Sequence, residues 1–129
     1  MTVFTADAKD RGDIADAFAD PGRLVVVALC AAWCDTCTEF RAAYERLAQA
    51  RPQAAFVWLD IEDDAEIAGD VDVENFPTLA IYRGRAPLHF GISLPNESTV
   101  GRLLDALADA AAPLGGAPDE VVELPGKFS

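Results

Sequence analysis

The chain has 129 residues, 51% of them hydrophobic, and a formal net charge of −12. The length suits one domain with a sizeable core, while the charge argues against non-specific binding to nucleic acid or to an anionic membrane surface and reads most simply as a solubilising acidic exterior. No apolar run approaches the roughly 20 residues of a membrane span, and Met1 to Asp20 carries acids and no signal-peptide core. The expected setting is the reducing cytoplasm, where three cysteines are catalytic, redox-active or metal-binding rather than a structural framework.

Thr2-Val3-Phe4-Thr5 reads as a short edge strand. Asp13 is a candidate N-cap for a helix with Ile14, Ala17 and Phe18 on one face, stopped by Pro21-Gly22. Leu24 to Leu29 has no polar alternation, as expected of a strand buried on both faces between helices. Trp33-Cys34-Asp35-Thr36-Cys37 follows, leading into a helix with Phe40, Tyr44, Leu47 and Ala48 at helical spacing and closed by Arg51-Pro52. A Cys-x-x-Cys where a strand hands over to a helix reads as a redox pair. Unpaired N–H groups and the positive dipole end of the first turn favour thiolate, the species that attacks disulfides.

Ala55 to Leu59 is a second strand, and Asp60 to Glu74 holds eight acids and no base, with a short helix expected around Ala65 to Ala68 and limited by Gly69. Thr78 to Tyr82, a turn at Arg83-Gly84-Arg85, and Leu88 to Phe90 make an antiparallel hairpin. After Pro95-Asn96, a last helix carries Val100, Leu103, Leu104, Leu107 and Ala111 as one apolar stripe. The early alternation implies parallel strands with right-handed crossovers, and the late hairpin makes the sheet mixed.

With these elements in place the sequence resembles the thioredoxin superfamily. The resemblance rests on Trp-Cys-x-x-Cys after a buried strand, on Phe76-Pro77-Thr78 as a cis-proline loop, and on Gly91 after the second hairpin strand. It implies a thioredoxin-like three-layer α/β/α fold with a central mixed sheet over residues 1–112; by composition, 113–129 reads as an acidic Pro/Gly-rich tail in which Val121-Val122 is a candidate docking pair. It also implies roles. Cys34 is the exposed attacking thiolate and Cys37 the deeper thiol that resolves the mixed disulfide. Pro77 is cis and lies against the cysteines. The backbone of Phe76 pairs with an extended substrate segment by strand addition, and Trp33 covers the site.

The departures are specific. Asp35-Thr36 replaces the family's usual Gly-Pro, Ala28 replaces its buried acid, Trp58 the accompanying lysine, and Cys30 an aromatic; no proline stands near Ala42. Without the acid no obvious base deprotonates Cys37, so resolution is expected to be slow at neutral pH. Asp35 places a negative charge beside Cys34 and competes for the same helix terminus, which favours disulfide over dithiolate; its bland role is an ordinary first-turn acid.

Cys30 reads as a small apolar core residue; the sharper alternative is a third redox thiol, and a disulfide involving it would identify a different pair. Cys30, Cys34 and Cys37 have the Cys-x3-Cys-x2-Cys spacing of a four-iron–four-sulfur site, but the chain is too short for the barrel of the enzymes that use it. A zinc site lacks a fourth ligand, the only His being His89 on a strand. The function expected is therefore a thiol–disulfide oxidoreductase acting on protein disulfides and recycled by a thiol reductant or a reductase. It needs no cofactor or metal and acts as a monomer. The alternative is a binding or chaperone-like module that keeps the peptide groove with little turnover.

Overall fold

The computed structural model describes residues 3–68, 71, 73, 75–93, 95–110 and 117–128. A five-stranded sheet runs in the order β1-β3-β2-β4-β5: β1 (Phe4–Thr5), β2 (Leu24–Cys30), β3 (Ala55–Asp60), β4 (Thr78–Arg83) and β5 (Ala86–Ile92). β1, β3 and β2 are parallel, and β4 and β5 antiparallel, so the sheet is mixed. Helices α1 (Ala8–Ala19), α2 (Asp35–Ala50), α3 (Ala65–Ala68) and α4 (Glu97–Ala110) cover its faces. This is the thioredoxin-like α/β architecture that the sequence implied.

The unbroken apolar run of β2 explains its central place. Val25, Val27 and Leu29 join the core with α1 and α3, and Val26 and Ala28 the core with α2 and α4. Successive side chains alternate between faces, so a strand covered on both must be apolar throughout. Tyr44 anchors α2 to this sheet. Its hydroxyl lies 2.9 Å from the Val26 carbonyl and 2.8 Å from that of Val57, and its single proton serves one of the two at a time. Burial pushes its ionisation far above the usual tyrosine range. Tyr44→Phe, which keeps the ring, is expected to lower unfolding free energy by about 1 kcal/mol in urea titration, the net worth of one such bond. The β4–β5 turn needs Gly84: φ is +56°, and a Cβ there would sit 2.9 Å from the Asp20 carbonyl oxygen and from Pro21 Cα.

Two segments depart from the sequence reading. The first helix starts before Asp13. Asp7 caps it, accepting from Asp10 N–H at 3.2 Å while the Asp10 carboxylate accepts from Thr5 N–H at 3.0 Å. The Asp7 cap fixes where the helix begins, and the helix continues through Gly12. The segment read as a tail holds α5 (Asp119–Glu123) and a 3-10 turn over Leu124–Phe128, and Val121, Leu124 and Phe128 are buried in the α1-side core. Tyr82 Oη donates to the Val121 carbonyl at 2.7 Å. Val122, the other half of the expected docking pair, is exposed. Gly69, Asp70, Asp72 and Glu74 of the acidic stretch, and Ala111 and Pro113, lie outside the described residues.

Candidate active site

The strand ends converge on the cysteines. β2 ends at Cys30, Ala31 to Trp33 turn the chain, and Cys34 is the N-cap of α2. Cys34 N–H donates to the Ala31 carbonyl at 3.0 Å, and its own carbonyl accepts from Thr38 N–H at 3.1 Å and Thr38 Oγ1 at 3.2 Å. Asp35 is exposed and Thr36 half-buried in the first turn. Cys37 lies on the core side of that turn and is 1% exposed, as is Cys30.

The disulfide joins Cys30 to Cys37, with Cα atoms 5.9 Å apart, an ordinary span for such a bond. Cys34 is a free, partly exposed thiol. The sequence reading had placed the bond between Cys34 and Cys37 and read Cys30 as core filler. Cys30 is indeed buried, but it closes the strand whose end faces the first turn of α2, and there it meets Cys37. Adjacency along the helix singled out one pair; the strand–helix crossing supplies the other.

The cis-proline loop lies across the same end. β2 and β4 pair as far as Leu29 with Thr78, so Cys30 and Pro77 stand one step beyond the last register pair. The Phe76–Pro77 bond is cis and Pro77 is buried. The loop is tied down by Thr78 Oγ1, donating to the Asn75 carbonyl at 2.6 Å, and by Ser93 N–H, donating to the Pro77 carbonyl at 3.0 Å. Phe76 N–H donates to Asn75 Oδ1 at 2.9 Å. Trp33, 64% exposed, meets Phe76 edge to face with ring centroids 5.5 Å apart. Ile92, paired with Thr78 next to Pro77, is a further exposed apolar residue at this end of the sheet.

Among the described residues, the acidic stretch reaches the site at Asp60 and Glu62. Asp60 pairs with Cys30 and is hydrogen-bonded by Glu62 N–H at 2.8 Å and Asp63 N–H at 3.0 Å, which folds the loop back. That turn sets Glu62 Oε1 to accept from Trp33 Nε1. Behind it, Asp64 accepts from Asp60 N–H, and burial together with the neighbouring acids Asp60 and Asp63 raises its pKa against the opposing effect of that bond. The sequence reading notes the acids of this stretch without singling out Glu62. Ile92 and Asn75 went unnoticed, although the hairpin register and the step before Phe76-Pro77 pointed to them.

Beneath the thiols the core is apolar. Ala28 is fully buried and pairs in register with Trp58, so the two substituted positions face one another across β2 and β3. The Arg41 guanidinium stacks over Trp58 at 4.9 Å from the ring centroid, a cation–π contact, and Arg41 Nε also pairs with Glu45 at 2.9 Å. Burial lowers the pKa of His89, which lies on β5. Among the described residues no group of three or more His, Cys, Asp or Glu could hold a metal ion, and no helix is long and apolar enough to cross a membrane. A cleft between α2 and α4, lined in part by Arg46, Arg51 and Arg102, is spanned by the pairs Arg46–Glu97 and Arg51–Asp105 and stands apart from the thiols.

Comparison with known proteins agrees with this fold. Residues 8–98 match the family model described as thioredoxin. The chain is 33% identical over 76 residues to thioredoxin-2 of Saccharomyces cerevisiae, covering 59% of this chain and 73% of that protein. A solved thioredoxin of Fasciola hepatica superposes with a TM-score of 0.65 at 26% identity over 82% of this chain and 98% of the other. A wild-type poplar thioredoxin h gives 0.72 at 16% identity, over 85% and 99%.

Proposed function

This chain belongs to the thioredoxin family, and from that premise we propose that it is a thiol–disulfide oxidoreductase acting on protein disulfides, with Cys34 as attacking thiolate and Cys37 as resolving thiol. Family membership and a cysteine pair at bonding distance support thiol–disulfide chemistry in general. The observation that carries the finer reading is the difference in exposure. Of the three cysteines Cys34 alone reaches the surface, at a helix N-terminus, while Cys37 waits one turn deeper.

In this reading a substrate segment lies along the cis-proline loop. Trp33, Phe76 and Ile92 give it apolar cover, and Pro77 orients it against Cys34. Pairing to Phe76 N–H requires Asn75 Oδ1 to release it. Asp35 and Glu62 make the rim negative, which favours basic partner surfaces. The protein works as a monomer in the cytoplasm. An external thiol or a reductase recycles it; one structural neighbour is a thioredoxin f2 in complex with ferredoxin:thioredoxin reductase. With Ala28 below the thiols, removal of the Cys37 proton lacks a buried carboxylate, and resolution is expected to be slow at neutral pH.

The test is a trapping experiment with a disulfide-linked peptide. Cys37→Ser is expected to accumulate an adduct through Cys34 that persists, whereas the wild type releases both peptide thiols. If Cys37→Ser forms no adduct at Cys34, the reading is wrong. The apolar floor at Ala28 also suits a peptide-binding module with little turnover. That second reading gains weight if Cys34→Ser/Cys37→Ser keeps its biological activity.

A further inference from the structure

We propose that the site is a three-thiol relay, in which Cys30 takes the disulfide from Cys34 and stores it as the buried Cys30–Cys37 bond. The proposal rests on the oxidoreductase reading above. Three observations carry it: the bond joins Cys30 and Cys37, both its residues are 1% exposed, and the remaining thiol is the accessible one. A bond in this position cannot be attacked readily from solvent by a protein partner. Oxidising equivalents therefore arrive and leave through Cys34.

The Cys34 thiolate attacks a substrate disulfide, forming a Cys34–substrate bond and releasing one substrate thiolate. Cys37, deprotonated, attacks Cys34 Sγ, forming Cys34–Cys37 and releasing the second substrate thiolate. Cys30, deprotonated, then attacks Cys37 Sγ and expels Cys34 as thiolate. The two protons lost by Cys37 and Cys30 match those gained by the two released thiolates. Two electrons pass from Cys30 and Cys37 to the substrate, and Cys34 ends as it began. Reduction runs the same exchanges backwards: Cys34 attacks Cys37 Sγ and expels Cys30 as thiolate, a reductant thiolate attacks Cys34 Sγ and expels Cys37, and the reductant's second thiolate attacks its own sulfur in the mixed disulfide and frees Cys34. The oxidised protein thus still presents one nucleophilic thiol at its surface, whereas a Cys34–Cys37 disulfide would present none.

The deciding experiment equilibrates the full-length protein in dithiothreitol redox buffers, quenches with acid, alkylates free thiols and maps the peptides. The oxidised wild type is expected to carry Cys30 linked to Cys37 with Cys34 alkylated. Oxidised Cys30→Ala is expected to carry Cys34 linked to Cys37. Finding Cys34–Cys37 in the oxidised wild type, with Cys30 alkylated, overturns the relay and leaves the oxidoreductase reading standing. Finding no reversible disulfide among the three overturns both. A second measurement reads the route. In folded Cys34→Ser, oxidised during refolding, dithiothreitol is expected to reduce Cys30–Cys37 about 100-fold more slowly than in the wild type, with equal rates in concentrated guanidinium chloride. Equal rates in the folded proteins would show direct attack and sink the relay.

Discussion

Cys34→Ser is expected to lower disulfide-reductase turnover by about 1,000-fold or more, because covalent catalysis loses its nucleophile and nothing nearby replaces it. Both other cysteines are 1% exposed and bonded to each other, so neither is placed to meet a protein disulfide. Cys34 is the N-cap of α2 but makes no side-chain capping bond, so its replacement costs the helix no capping interaction. A loss of activity with unchanged stability is therefore the expected signature, measured with a disulfide-linked fluorescent peptide alongside urea unfolding. Retained turnover would mean that the Cys30–Cys37 bond opens to substrate directly. Loss of turnover with undiminished peptide affinity would fit the apolar residues Trp33, Phe76 and Ile92, which lie outside the thiol chemistry.

The second large effect concerns stability. Leu124→Ala/Phe128→Ala is expected to lower unfolding free energy by about 5 kcal/mol, from burial lost and cavities left at two core positions. Leu124 is fully buried and Phe128 is 3% exposed, and both belong to the core formed by α1 and the sheet. Phe128 packs on Phe18 with ring centroids 5.8 Å apart, and Phe18 in turn meets Tyr82 edge to face at 5.2 Å. The Tyr82 hydroxyl then returns to the Val121 carbonyl, so aromatic packing and one buried hydrogen bond close a circuit through this segment. A loss of this size is comparable with the whole stability of many domains, roughly 5–15 kcal/mol. Val122→Ala, on the exposed side of the same helix, is expected to change stability by less than about 0.5 kcal/mol. Both variants are compared in urea with the disulfide in one redox state. A double variant within 1 kcal/mol of wild type would show that residues 117–128 are dispensable for the fold.

The element order was legible in the sequence because it is encoded locally. The unbroken apolar run of β2, the helical stripe of α2 and the Arg83-Gly84-Arg85 turn each report their own backbone geometry, and the structure places each where its pattern implied. The closing segment also carried a signal. Val121, Leu124 and Phe128 stand three and four residues apart, one face of a helix, but Pro, Gly and acidic neighbours outweighed so short a pattern. The start of α1 was missed for a related reason: Asp7 and Asp13 are equally good caps by residue type, and the bond from Thr5 N–H to Asp10 selects the earlier one.

By itself the sequence marked the candidate site: three thiols around a strand–helix handover, an X-Pro step before a hairpin, and an apolar core where the family has an acid. Only the tertiary structure decided how they pair. A Cys-x-x-Cys is visible because both members lie in one turn of one helix. The Cys30–Cys37 bond spans two elements, and its geometry is fixed by where α2 crosses the end of β2 on a sheet whose register is set by β3 and β4. The same holds for Trp33 with Glu62 and for Trp33 with Phe76. Such contacts join residues far apart in the chain, and they arise only once packing has brought the strand ends together.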